Sequence, residues 1–173
     1  NAGLGVFDDY WNVNLQDEKN MLQVNIMALA ELTFLFANDM VNRGGGKILN
    51  VASTAAFQPG PTMPGYYASK AFVLRYSQAI NFEMRKKGVL VSTLCPGPTI
   101  TEFQTRAKMN ETNMFKRKFT MSAEEVASIG FKGLMKGRSV IIPVGLNWMA
   151  AMASRIAPSK ISMSVVNWLL TKK

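Results

Sequence analysis

Three short runs rich in apolar and β-branched residues constrain the fold more than any other feature: Lys47 to Ala52, Val89 to Cys95 and Ser139 to Val144. Each is too short for a typical helix and reads as a buried strand. Longer helical patterns, Tyr66 to Lys86 and Ser122 to Lys136, separate them, with Gly88 and Gly137 placed as helix stops. The βαβαβ order predicts an α/β chain with a mostly parallel sheet and helices on both faces. Ligands of such sheets bind beyond the carboxyl ends of the strands, so chemistry is expected just after Ala52 and Cys95.

Ahead of the first strand, Asp17 to Val41 is helical in pattern and apolar on almost every side, through Leu22, Val24, Ile26, Leu29, Leu32, Phe34, Leu35 and Phe36. In a chain of 173 residues such a helix is expected to pack on the sheet one way and on a partner subunit the other. The length and the 48% hydrophobic content suit one buried core, hence a single domain over 1–173. Apolar stretches break before the ~18 uninterrupted residues a spanning helix needs, so no segment is expected to cross a membrane. The lone Cys95 cannot form an internal disulfide and no leader pattern opens the sequence, which together predict a reducing, cytoplasmic setting. The formal charge of +9 comes from scattered basic residues without a nucleic-acid-binding module, so nucleic acid is not an expected partner. With no histidine anywhere, histidine acid/base chemistry is excluded and no metal site is expected.

Tyr66 and Lys70 are four residues apart at the start of a predicted helix and so share a face. An ammonium beside a phenol favours the phenolate, so Lys70 is expected to lower the tyrosine pKa from roughly 10 toward a useful range. Taken alone, such a pair is usually just helix surface. Ser53 follows the first predicted strand at the sheet's carboxyl edge, where its hydroxyl is within reach of the substrate of Tyr66, although a serine there equally often starts a turn. After the second strand, Cys95-Pro96-Gly97-Pro98-Thr99-Ile100-Thr101 forms a rigid turn able to cradle a polar ring.

In order and spacing these residues resemble the short-chain dehydrogenase/reductase family, over Asn1 to about Ile142. Asn1-Ala2-Gly3 is similar to the family's Asn-Ala-Gly motif, Asn25 to its active-site asparagine, Ser53 to its serine, Tyr66 with Lys70 to its Tyr-x-x-x-Lys pair, and Pro96-Gly97 with Thr101 to its nicotinamide-side motif. The resemblance implies a Rossmann-like, partial doubly wound sheet of which this chain is roughly the last two thirds. It implies NADP or NAD as cofactor and interconversion of a carbonyl and an alcohol. Tyr66 would move the proton, Ser53 orient the oxygen, Lys70 bind the nicotinamide ribose, and Asn25 hold a relay water through a local break in its helix. Thr99 and Thr101 would meet the carboxamide, with Asn1, Ala2 and Gly3 along the adenosine.

The family's glycine-rich strand–turn–helix for the cofactor phosphates is not found here. Gly3-Leu4-Gly5 lacks a preceding strand, Gly44-Gly45-Gly46 leads from a helix into a strand, and Gly133 to Ser139 also fails. A truncated reading of a longer protein is the expected reason, a fragment or a completing partner chain the others; the alternative function is a non-catalytic interaction or scaffold chain. The tail, residues 146–173, carries Trp148, Met149, Met152, Met163, Trp168 and lysines in two helical patterns around Pro158. Core and subunit packing is the favoured reading of this tail over contact with a membrane surface. The loop Phe103 to Thr120, rich in Lys, Met and Phe, is expected to cover a small carbonyl or alcohol substrate of apolar character, and the helices 17–41 and 66–86 to join copies of the chain.

Overall fold

The computed structural model describes residues 3–107, 109, 111–114, 120–143, 153 and 157–171. The order is α1 (Leu15–Leu22), a π-helical segment (Gln23–Ala28), α2 (Leu29–Asn42), β1 (Gly46–Val51), α3 (Pro64–Met84), β2 (Val89–Leu94), β3 (Thr99–Ile100), α4 (Phe103–Arg106), β4 (Met121–Ser122), α5 (Ala123–Met135), β5 (Val140–Ile141) and α6 (Ser159–Leu170). The expected βαβαβ unit is therefore present as β1-α3-β2-α5-β5. Its strands form one parallel sheet in the order β1-β2-β5, and β3 and β4 form a separate parallel pair.

Local chemistry accounts for where these elements start and stop. Proline at the first position of α3 moves its start to Pro64, two residues before the periodic pattern, because its missing N–H is not needed there. Gly88 (φ 77°) and Gly137 (φ 73°) take the left-handed conformation that ends α3 with its terminal 3-10 turn, and α5. Ser122 caps α5 in a reciprocal box with Glu125. The third strand is shorter than its apolar run. Its ladder stops at Ile141, and Pro143, two residues on, has no N–H to give.

All six residues of β2 are buried, as a strand covered on both faces requires. On one side Leu49, Val51, Leu94 and Ile141 pack against Val126 and Ile129 of α5. On the other, Ala52, Cys95 and Val140 pack against Val73 and Leu74 of α3 and Leu29 of α2. The layer against α2 and α3 also holds polar groups. The Asn50 amide donates to Ser77 Oγ (2.9 Å) and Thr33 Oγ1 (3.2 Å), while Asn81 Oδ1 accepts from the Val91 N–H (3.0 Å).

The first helical stretch, α1 through α2, runs unbroken over Leu15–Asn42 and is, contrary to the sequence expectation, long and apolar enough to span a bilayer. The uninterrupted-run criterion missed it because Asn20, Gln23, Asn25, Glu31 and Thr33 interrupt its apolar residues, whereas most of its charges, Asp17, Glu18, Lys19 and Asp39, lie near its ends. Its inward side chains, Met21, Asn25, Thr33 and Ala37, are buried, whereas Met27, Leu32, Phe34, Leu35 and Phe36 face outward. At the other end of the chain, Ser162, Val166 and Leu170 of α6 are buried, the last two in a cluster with Met63, Tyr67, Ala107 and Met109. Trp148, Met149 and Met152, with most of the first tail pattern, lie outside the described residues.

Replacing Asn50 by alanine leaves the buried hydroxyls of Thr33 and Ser77 without their amide partner, so Asn50→Ala is expected to destabilise the fold by ~1–3 kcal/mol. Urea denaturation, read as a lowered midpoint at unchanged slope, measures this.

Candidate active site

In-register pairing of β1 with β2 brings the two predicted chemical loops together at the carboxyl edge. Val51 lies beside Leu94, and the ladder continues through Ala52 N–H to Leu94 O (2.8 Å) and Thr54 N–H to Pro96 O (2.8 Å). Ser53 Oγ donates to the same Pro96 carbonyl (3.4 Å) and accepts from the Ala55 N–H (3.1 Å), capping the short 3-10 turn Thr54–Phe57. The turn reading of Ser53 is thus present in the fold. Ser53 also hydrogen-bonds the Tyr66 hydroxyl.

The first two turns of α3 supply the rest. Tyr66 and Lys70 share a face, with the ammonium 5.7 Å from the phenol ring centroid and donating to the Val51 carbonyl (3.2 Å). Lys70 is only 6% exposed, and this burial brings its pKa down to about 8, with the neighbouring Cys95 opposing the fall. Tyr66 moves the opposite way to the sequence expectation. Burial pushes its pKa up to about 12, against the lowering pull of the Ser53 hydrogen bond, and the lysine does not reverse it. The physical reason is the direction of Lys70, whose hydrogen bond goes to the strand end rather than to the phenol oxygen. Burial also raises Cys95 to about 12, opposed by Lys70 and then by a hydrogen bond from Ser53.

Asn25 sits in the π-helical segment, so the expected break in its helix is present. Its amide is engaged with protein: Oδ1 accepts from the Leu4 N–H (2.9 Å), and Nδ2 donates to the Leu4 carbonyl (2.9 Å) and Ser69 Oγ (3.1 Å). Ser69 Oγ donates in turn to the Tyr66 carbonyl (2.7 Å). Sequence reasoning passed over Leu4 and Ser69. For Ser69 the signal was its spacing of three from Tyr66, which places it on the inward side of the same helix.

Gly3 lies against this group, since a Cβ on it would be 3.5 Å from Lys70 Nζ and 3.7 Å from Asn25 Oδ1. Asn1 and Ala2 lie outside the described residues. Pro96 and Gly97 stand at the edge beside Ser53, and Thr99 Oγ1 donates to the Gly97 carbonyl (3.0 Å). Thr101 is exposed, its hydroxyl accepting from the Phe103 N–H (3.2 Å) at the start of α4. Apolar groups wall the phenol: the Phe103 ring centroid is 5.2 Å and that of Tyr67 6.0 Å from that of Tyr66, with Phe7, Met63 and Met114 in the same cluster.

A buried ammonium opposes folding while it remains charged. Because the folded pKa of Lys70 lies below its ordinary 10.5, the penalty is complete below about pH 8 and fades as pH rises from 8 toward 10.5. Relative to Lys70→Met, the unchanged chain should gain stability on the order of 2 kcal/mol between pH 8 and about 9.5. Urea midpoints of both proteins between pH 7 and about 9.5 measure it; parallel curves would place the ammonium in water.

Comparison with known proteins agrees with this arrangement. The family profile described as short chain dehydrogenase matches residues 1–112. The chain is 31% identical over 158 residues to 17-beta-hydroxysteroid dehydrogenase type 3 of Mus musculus, covering 90% of this chain and 49% of that protein. It is 32% identical over 126 residues to the very-long-chain 3-oxoacyl-CoA reductase of Anas platyrhynchos, covering 71% of this chain and 38% of that protein. Among solved structures, a short-chain dehydrogenase from Sphingobium yanoikuyae in complex with NADPH superposes with a TM-score of 0.77 at 29% identity, over 90% of this chain and 61% of that one. The bulky-bulky ketone specific alcohol dehydrogenase from Comamonas testosteroni gives 0.71 at 27%, over 90% and 59%. The chain spans about half the length of the first of these curated relatives or less. With the ordered residues brought to one sheet edge and the profile matched across them, the chain belongs to the short-chain dehydrogenase family.

Proposed function

We propose that this chain carries the proton-transfer and nicotinamide-side half of an NADP- or NAD-dependent oxidoreductase that interconverts a carbonyl and an alcohol. The observation that carries the reading is the Tyr66 hydroxyl, hydrogen-bonded to Ser53 at the carboxyl edge of the sheet with the Lys70 ammonium beside its ring. The donor set also suits the cofactor's nicotinamide ribose and carboxamide, because it offers a phenol, an ammonium and threonine hydroxyls around one edge. Lys70 and Tyr66 would hold the ribose, Pro96, Gly97, Thr99 and Thr101 the carboxamide, and Gly3, with Asn1 and Ala2, the adenosine side. The phosphates are assigned to no residue of the sequence, which contains no glycine-rich strand–turn–helix.

When bound, the nicotinamide supplies or accepts the hydride. Tyr66, with its pKa pushed up to about 12, keeps its proton at neutral pH and can deliver it to a carbonyl oxygen. Ser53, turning its one hydroxyl proton from the Pro96 carbonyl, would donate a second hydrogen bond to that oxygen and fix its distance from the phenol. Lys70 retains most of its charge at neutral pH and stabilises the phenolate left by the transfer. Asn25 and Ser69 lock the backbone of Tyr66, so the acid is pre-positioned.

The apolar wall of Phe7, Met63, Tyr67, Phe103 and Met114 favours an apolar ketone or the corresponding alcohol, in keeping with the steroid and acyl-CoA relatives. The outward face of α2, with Met27, Leu32, Phe34, Leu35 and Phe36, together with Phe82 of α3, favours a second copy of the chain as its cover.

In the natural polypeptide, NADPH oxidation with a panel of apolar ketones is expected to fall by ~10²–10⁴-fold in Tyr66→Phe, while NADPH affinity measured by fluorescence changes little. Failure to bind either nicotinamide cofactor, or unchanged turnover in the variant, would sink the catalytic reading and favour the scaffold one. For the oligomer, Phe34→Asp is expected to halve the mass measured by light scattering without loss of helical content.

A further inference from the structure

We propose that Phe103, seated in a notch that Gly5 leaves open, is the specificity-determining residue of the candidate active site and keeps one substituent of the carbonyl small. This inference rests on the proposed function and adds to it a limit on the ketone. The Phe103 ring packs on that of Tyr66, with centroids 5.2 Å apart and planes tilted by 39°. At that separation the rings are in contact and no further group fits between them. The same ring covers Gly5. A Cβ on that residue would stand 2.7 Å from Phe103 Cζ, 2.9 Å from Phe103 Cε2 and 3.3 Å from Met63 Cε, the first two closer than carbon atoms approach without a shift. The absent Cβ is therefore the space in which the ring lies.

Gly5 serves for room rather than for backbone conformation, since its φ is not in the positive range. Nor can its segment withdraw. Leu4, its neighbour, is held by Asn25 through both its N–H and its carbonyl, at 2.9 Å each. Phe103 is the movable partner. It is half-buried and opens α4, a helix of four residues. Thr101 and Glu102 before it are exposed, and Glu102 pairs with Arg106 at the surface. The bonds that shape this turn, Phe103 N–H to Thr101 Oγ1 (3.2 Å) and Thr101 N–H to Gln104 Oε1 (3.1 Å), stay within it and do not tie the ring to the sheet. A crowded position 5 would therefore be relieved by displacement of the ring.

Ketone geometry turns this packing into selectivity. A carbonyl oxygen shared by the Tyr66 and Ser53 hydroxyls directs its two substituents away from both. One of them meets the Phe103 ring where it leans on Tyr66. A planar ring lodged between Gly5 and Tyr66 yields less than the methionines of the same wall, Met63 and Met114, whose unbranched chains adapt to what they touch. The two substituents therefore meet unequal spaces, one bounded by an aromatic ring and one by adaptable side chains. A Phe103 that only filled the core would leave the preference among ketones of different size indifferent to position 5.

Turnover with NADPH in the natural polypeptide tests this, with acetophenone as the ketone that has one small substituent and benzophenone as the ketone that has none. The unchanged protein is expected to favour acetophenone in kcat/KM by at least about tenfold. Phe103→Ala should raise kcat/KM for benzophenone and shift the ratio about tenfold toward it, a gain that lost packing alone does not produce. Phe103→Leu should shift it the same way by less. Gly5→Ala should shift the ratio in the unchanged protein but not in Phe103→Ala, because its effect passes through the ring. A ratio unmoved by both Phe103 substitutions overturns the inference, as does an equal effect of Gly5→Ala in both backgrounds. Preference of the unchanged protein for benzophenone, or reduction of other apolar ketones but not of acetophenone, also overturns it. An unchanged protein that binds no nicotinamide cofactor or reduces no ketone overturns the proposed function, and this inference with it.

Discussion

The buried ammonium of Lys70 is the constraint around which the site is arranged. A charge removed from water must find oxygen, and the Lys70 ammonium donates to the carbonyl of Val51, the last residue of β1. That bond pins the second turn of α3 to the end of the strand and thereby sets where Tyr66, one turn earlier, stands relative to Ser53, two residues beyond Val51. The β1–β2 register then brings Pro96 against the same turn. One desolvated cation thus couples a helix, a strand end and a loop that are distant in sequence.

The same burial moves the pKa values of the two groups in opposite directions. Apolar rings around Tyr66 hold its proton in place, while the environment of Lys70 weakens its hold on its own. In the proposed reaction, a phenol that keeps its proton at neutral pH would donate it as negative charge develops on a carbonyl oxygen, and the Ser53 hydrogen bond would offset part of the cost of the phenolate. The Asn25 side chain clamps the backbone at Leu4 through both halves of its amide and reaches Ser69 Oγ, and so joins the segment after Gly3 to the helix that bears the tyrosine.

Much of this was legible in the residue order. The strands announced themselves as apolar runs, Gly88 and Gly137 as helix stops, and the Tyr66, Lys70 and Ser53 positions as neighbours across a sheet edge. The direction of the tyrosine pKa was not, because it depends on where the Lys70 side chain points and on rings contributed by Phe103, thirty-seven residues away. The role of Ser69 was hidden because a serine inside a helix ordinarily means nothing by itself. The bilayer-length helix was missed because polar residues interrupt its run, and in the fold those same interruptions, Asn25 and Thr33, are the residues that face the core.

The π-helical segment Gln23–Ala28 sets the phase between the two halves of that helix. A widened turn of this kind accommodates one residue more than an α-helix would over the same length. It thereby shifts the angular position of everything beyond it by about 100° relative to an uninterrupted helix. Asn25 can thus face Leu4 and Ser69 while Thr33 and Ala37, further on, still face the sheet. Deleting one residue within 23–28 would leave the composition almost untouched and yet force a choice: either the asparagine clamp or the sheet contacts of α2 would rotate away. The segment works as a vernier, aligning two faces whose spacings do not otherwise match.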